Sequence, residues 1–306
     1  MSTKFQFISK LFATTQYEVV DSSFKIIQDD DAIRKMLDGS ICPAFKEKKK
    51  HQQHEFVHRL DTGEGVFYLK RAVGEPRRRV IRHTLKGRRP RSNCGWQFSS
   101  IEALRANGFA VMAPIAWAEE RWFGYWPRRG MLLVDTVEGD ELIDIVEDTT
   151  PSLRRSHALR SFGHYLGRLH GAGFYHEVRV QDFILVPDEK EAGEDSYELT
   201  MIDADFNGRP PKSEPYSFEK SVISLADAAY LYLRVGNQIN RSESRQVLLG
   251  YSAGLRAAGQ SFEYGTVKRV VELTDKNLLN HRKTPHLFKL FPEAIGSLAE
   301  EFARKA

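Results

Sequence analysis

The chain has 306 residues, 41% of them hydrophobic and 28% charged, with a formal net charge of +4. That composition supports a sizeable core and excludes wholesale disorder, a disulfide framework (the cysteines are Cys42 and Cys94 alone) and a Cys/His zinc fold. The longest mostly apolar run, residues 109–118, contains Pro114 and falls far short of the roughly 20 residues that span a bilayer.

Polar residues interrupt the apolar stretch of residues 1–13, so no signal peptide is expected and the chain is read as cytoplasmic with reduced thiols. Residues 1–40 are poorly patterned except for a short helix at 32–37 behind Asp29, Asp30 and Asp31. Residues 55–60 and 65–70 alternate around Asp61-Thr-Gly-Glu64 and predict a hairpin. Residues 98–107 carry a helical apolar period and stop at Gly108. Residues 109–117 and 131–136 read as strands joined by a Trp- and Arg-rich loop, 121–129. An acidic connection, 138–148, leads into a short helix. Beyond Pro151, residues 153–172 predict a long helix with Leu159, Phe162, Leu166 and Leu169 on one face. A small hairpin, 184–186 with 199–202, brackets an acidic turn at 188–195. Helices are expected at 224–235 and 242–257, and the tail 264–306 is helical with a break near Pro285 and Pro292. A strand-rich half followed by a helical half predicts two lobes with a ligand cleft at the connector.

Charge is unevenly placed. From Arg71 to Arg91 there are nine Lys or Arg and one acid, Glu75; Lys46, Lys48, Lys49 and Lys50 form a second basic run. Such a segment is either a solvated loop face or a surface for anionic headgroups at a membrane. RNA is the weaker partner, because no aromatics interleave the basic residues. Trp117, Trp122 and Trp126 read as packing residues. His164, His170 and His176 recur every six residues, which does not stack them on one helix face, so no metal site is expected there.

The run GHYLGRLHGAGFYHEVRVQDFILVP, from Gly163 to Pro187, resembles the helix and catalytic loop of the lipopolysaccharide kinase (Kdo/WaaP) family. Further matches follow in order: Phe67-Tyr-Leu-Lys-Arg71, the helix closing at Leu104-Arg-Ala-Asn-Gly108, Arg129-Gly-Met-Leu-Leu-Val134, Met201-Ile-Asp203 and Ser224-Leu-Ala-Asp227. The resemblance spans roughly residues 40–260 and implies an α+β, two-lobed protein-kinase-like fold. Its parts would be an N-terminal extension (1–39), a strand-rich N-lobe (40–136), a hinge (137–150) and a helical C-lobe (151–306). It also implies ATP and Mg2+ as cofactors and a lipopolysaccharide core sugar or other anionic glycolipid as partner, at the inner face of the membrane. Lys70 would hold nucleotide phosphates, Asp203 the magnesium, and the backbone of the stretch Asp135–Glu138, Asp135 and Val137 foremost, the adenine. Asp227 would brace the catalytic loop.

Departures fall on catalytic positions. Setting His176 against the His of H-R-D puts Glu177 at the Arg and Val178 at the catalytic Asp. Valine cannot accept a hydroxyl proton. Phe183 then stands where a metal ligand is expected. Gln97 replaces the helix Glu that pairs with the strand lysine; it can hydrogen-bond Lys70 but adds no charge. If the alignment slips, Glu177 or Asp182 could serve as base. Impaired phosphoryl transfer is therefore expected. The alternatives are a pseudokinase that binds nucleotide or glycolipid, and a basic-surface protein that binds RNA or membrane.

Overall fold

The computed structural model describes residues 13–21, 30–40, 55–74, 77–148, 150, 152–175, 178–187, 197–204, 215–217, 221 and 241–261. His176, Glu177, Asp227, the expected helix at 224–235 and the tail lie outside these residues. Contacts divide the chain into two units. One comprises Met1–Ala106, Val111–Thr136 and Ala204–Pro211; the other comprises Asn107–Ala110, Val137–Asp203 and Lys212–Ala306.

The first unit is built on an antiparallel sheet. Its strands are β1 (Ala13–Val19), β2 (Glu55–Thr62), β3 (Gly65–Val73), β4 (Pro114–Trp122) and β5 (Trp126–Asp135), in the order β1-β4-β5-β3-β2. Alternation in β2 and β3 turns Leu60, Phe67 and Leu69 to one face. There they join Ile33, Met36 and Leu37 of helix α1 (Asp30–Asp38) and Ile115, Met131 and Leu133 of β4 and β5. Helix α1 ends at Gly39, whose φ of +86° suits a glycine after a helix. Arg71 then donates from Nη2 to the Leu37 carbonyl at 3.1 Å, so this arginine caps a helix and is not part of a basic outer surface.

Helix α2 (Arg77–Leu85) and helix α3 (Asn93–Ala106) follow. The basic segment is thus helical over much of its length, where a loop was one expectation. His83 packs its ring on Trp96 at 5.1 Å, joining the two helices. Phe98 stacks on Trp117 at 5.3 Å and fixes α3 to the sheet. Gly130 makes room for the approach: a Cβ there would lie 2.6 Å from that of Ser92.

The expected strand at 109–117 begins later, at Pro114, because Phe109 is taken by the second unit. Its ring meets those of Tyr165 (5.6 Å) and Phe174 (5.9 Å). Main-chain Ala110 accepts from the Tyr165 hydroxyl and the Met201 N–H, both at 3.1 Å. The expected loop at 121–129 is mostly strand, with a tight turn at 123–125. Trp122 and Trp126 sit exposed at its tip, whereas Trp117 is buried as expected.

The second unit holds a short sheet, β6 (Asp140–Glu141), β7 (Phe183–Pro187) and β8 (Tyr197–Met201), in the order β6-β7-β8. Its helices are α4 (Leu142–Glu147), α5 (Leu153–Gly171) and α6 (Arg241–Ala257). Leu159, Phe162, Leu166 and Leu169 of α5 are buried, as their spacing predicts. Against α6 the contact is backbone to backbone. Gly163 and Gly167 of α5 face Gly250 and Gly254 of α6, and a Cβ on any of the four would sit within 2.8 Å of partner main chain. Buried Arg155 ties the start of α5 to its neighbours. It donates to the Ile145, Val146 and Asp148 carbonyls and pairs with Glu243 at 2.6 Å.

Candidate active site

In the second unit the chain makes one 3-10 turn, Val180–Asp182, before entering β7. Apolar side chains on both sides set this turn. Val178 and Val180 are buried, and Phe183 packs edge-on against Phe162 (5.5 Å) and Tyr165 (5.0 Å). Burying these three leaves Arg179 and Asp182 to a separate polar cluster. The Arg179 N–H donates to Asp182 Oδ2 at 3.1 Å and the Asp182 N–H to the Arg179 carbonyl at 3.0 Å, closing the turn. The Ile202 N–H donates to the Asp182 carbonyl at 2.7 Å, which fixes the turn to the end of β8 and sets Asp203 beside it.

Three charged groups meet there. Arg179 Nε donates to Asp182 Oδ2 at 2.9 Å. Its Nη2 lies 2.9 Å from Asp182 Oδ1 and 3.3 Å from Asp203 Oδ2. One guanidinium is thereby shared by two largely buried carboxylates. Burial, and then the negative charge of Asp203, push the Asp182 carboxyl up to about 6, against the pull of Arg179. Such a pair of carboxylates offers hard oxygen donors. No cluster of three or more His, Cys, Asp or Glu able to hold a metal occurs among the described residues. Two carboxylates fit the oxygen-ligand chemistry of magnesium, which is bound through one or two carboxylates with its remaining positions open to other oxygens.

In the first unit, Lys70 is a central strand residue, opposite Val57 on β2 and Leu132 on β5. Its carbonyl accepts from the Cys94 thiol at 3.4 Å, which holds α3 close to the strand. Gln97 lies on α3 and is buried, but its Oε1 has no hydrogen-bond partner, so the expected bond from Lys70 to that oxygen is not formed. Asp135 ends β5 and commits its N–H to the Ala113 carbonyl at 3.0 Å. Val137 follows outside the strand and is half-buried.

Reasoning from sequence singled out Asp182 and Asp203 but missed Arg179, which joins them. The signal was the alternation of Val178 and Val180, which sets Arg179 on the opposite side from the two buried valines. No helix among the described residues is long and apolar enough to cross a membrane.

Comparisons with known proteins agree with this architecture. A solved structure of WaaP in complex with acyl carrier protein aligns with a TM-score of 0.52 at 14% identity, covering 84% of this chain and 99% of that one. The Rio2 kinase–ADP/Mg2+–phosphoaspartate complex from Chaetomium thermophilum aligns at 15% identity and a TM-score of 0.40, over 88% of this chain and 74% of that one. A search of curated protein sequences finds no match. The fold is thus the expected α+β, protein-kinase-like one. The model of the lipopolysaccharide kinase (Kdo/WaaP) family matches residues 44–209, more than half of the sequence, and the chain belongs to that family.

Proposed function

We propose that this protein transfers the γ-phosphoryl group of ATP to a hydroxyl of an inner-core lipopolysaccharide sugar. Family membership supports the reaction class. The observation that carries the site is the pair of buried carboxylates, Asp182 and Asp203, gathered on Arg179. Magnesium bound there would neutralise charge on the nucleotide phosphates. Asp182 and Asp203 are the residues assigned to hold it, and Lys70 is assigned to the phosphates. Of the two connector residues, Val137 is the better candidate beside adenine, since the N–H of Asp135 is already engaged.

Burial supports a register one residue earlier than the sequence alone suggested. Val178 and Phe183 are buried among apolar groups, whereas Asp182, buried as well, faces Arg179 and Asp203. In the earlier register Glu177 takes the base position. Asp182 follows it by five residues, the D-x-x-x-x-N spacing of kinase catalytic loops. Glu177 then accepts the proton of the acceptor hydroxyl, and Arg179 offers positive charge to the oxygens of the transferred group. His176 has no chemical role in this register, and Asp227 keeps its assignment as the brace of the loop.

The test is thermal stabilisation by Mg·ATP together with turnover on core oligosaccharides. Glu177→Gln should keep the nucleotide-induced shift and lose turnover by about 10²–10⁴-fold. Lys70→Ala and Asp203→Ala should lose both. No shift at millimolar nucleotide would overturn the proposal. A shift without turnover would favour the second reading, a nucleotide-binding pseudokinase. Gln97 supports that reading, since a neutral amide stands where active relatives are expected to carry a glutamate.

A further inference from the structure

Two features of the first unit are unused by the proposed chemistry, and they adjoin. Past α2 the chain runs along the tip of the β4–β5 hairpin. Arg89 donates from Nη2 to the Gly124 carbonyl at 2.7 Å. Buried Arg121 donates to the carbonyls of Pro90 (2.9 Å) and Tyr125 (2.8 Å), its charge balanced by an ion pair with Glu119. Basic segment and hairpin tip are therefore held as one surface.

That surface carries four exposed rings, Trp122, Phe123, Tyr125 and Trp126, beside the exposed side chains of Leu85, Lys86 and Arg88. Phe123 is 64% exposed and has φ +52°, a conformation that glycine or asparagine would adopt at lower cost than a bulky residue. The neighbouring acids are already engaged: Glu119 pairs with Arg121, and Glu120 with Arg128 at 2.5 Å. The patch is thus cationic and aromatic together.

We propose that this surface seats the protein on an anionic lipid bilayer, with Phe123 entering the acyl boundary and Trp122 and Trp126 lying at headgroup level. Indole and phenol rings with polar edges favour that depth, and Lys and Arg beside them pair with anionic headgroups. Nucleic acid fits less well, because base stacking needs open ring faces. The Arg128 guanidinium lies over Trp122 at 5.9 Å, and Tyr125 and Trp126 pack edge to face at 6.4 Å. An acidic protein would engage the cations but has no use for an apolar ring at the tip of a turn.

The test uses the full chain and vesicles of phosphatidylcholine, with or without phosphatidylglycerol. Of the four tryptophans, Trp96 and Trp117 are buried, so a change in emission reports on Trp122 and Trp126. The expected result is co-sedimentation and a blue shift with the anionic vesicles only. Lys86→Glu with Arg88→Glu should weaken binding by roughly 25-fold or more, at about fivefold per charge near the surface. Phe123→Gly should weaken it roughly tenfold, the effect of losing one buried ring, while leaving the melting temperature unchanged or higher because the strained φ is relieved. Asp203→Ala should leave vesicle binding unchanged, which separates this proposal from the phosphoryl-transfer reading. Absence of binding to anionic vesicles would overturn it. So would binding indifferent to Phe123→Gly and matched by heparin, an outcome that would make the patch a site for an acidic protein or nucleic acid.

Discussion

Gly250→Ala tests the seam on which the second unit is built. A Cβ at position 250 would lie 2.8 Å from the Arg160 carbonyl carbon and 2.9 Å from the His164 nitrogen. The Arg160 carbonyl oxygen is nearer still, and since such atoms pack at no less than about 3.2–3.5 Å the helices must part there by more than about 1 Å. A gap of that size forfeits about half or more of the dispersion energy of each contact it opens. The obstacle is main chain on both helices, so no side chain can swing aside. Overpacking of this kind costs about 1–3 kcal/mol, against which alanine regains about 1 kcal/mol of helix propensity. The net expectation is a loss of about 1–2 kcal/mol, a fall in melting temperature of roughly 3–8 °C. Gly167→Ala, which brings its Cβ within 2.8 Å of the Leu255 nitrogen, should behave alike. His157→Ala, at an exposed position of α5, is the control and should be neutral or slightly stabilising. Thermal melts followed by circular dichroism decide it. If Gly250→Ala melts at or above the parent temperature, the close approach of α5 and α6 is wrong.

Three further outcomes are expected. Arg155→Ala removes the ion pair to buried Glu243 and the donors to three carbonyls, and should cost about 3–5 kcal/mol in urea denaturation; a loss under about 1 kcal/mol would show that the network is dispensable. Because the Asp182 carboxyl is raised to about 6 in the fold, its stabilising contribution is full below pH ~4 and fades as pH rises through 6. Without divalent metal, Asp182→Asn should therefore stabilise the protein at pH 7–8 by about 2–3 kcal/mol and have little effect at pH 4, an outcome that melts across pH would refute by showing a constant difference. His164 is shifted the other way, its pKa lowered by burial and then by Arg168 and Arg160, so its contribution is present above pH ~6.5 and lost as pH falls through the folded value. His164→Gln should flatten the acid limb of the stability curve, and an unchanged limb would count against the shift.

Elements with a clean period were legible in the sequence. The β2–β3 hairpin and α5 could be read because alternation or a helical stripe coincides with burial on one side. β1 was not legible. It lies at the sheet edge with most of its side chains exposed, and what holds it is main-chain pairing to β4, which leaves no apolar signature. α2 was hidden by its charge, since its arginines mask the single face that carries His83 to Trp96. The glycines of the α5–α6 seam were visible as letters, but a glycine reports a close approach only once its partner is known.

The site shows the same division at the scale of one residue. Spacing alone permits two registers around His176. One places Val178 and Phe183 at the catalytic positions and implies lost chemistry. The other places Glu177 and Asp182 there and implies a complete set of carboxylates. Composition cannot choose between them, because both keep the apolar strand that follows. Side-chain surroundings bear on the choice: Val178 and Phe183 are closed among apolar groups and have no atom that accepts a proton or ligates a metal, whereas Asp182, also buried, keeps its carboxylate in a polar cluster. The side chains with charge to offer, Arg179, Asp182 and Asp203, stand together on the other side of the turn. The expectation of impaired catalysis drew on Gln97 as well as on Val178 and Phe183, and the choice of register bears only on the last two.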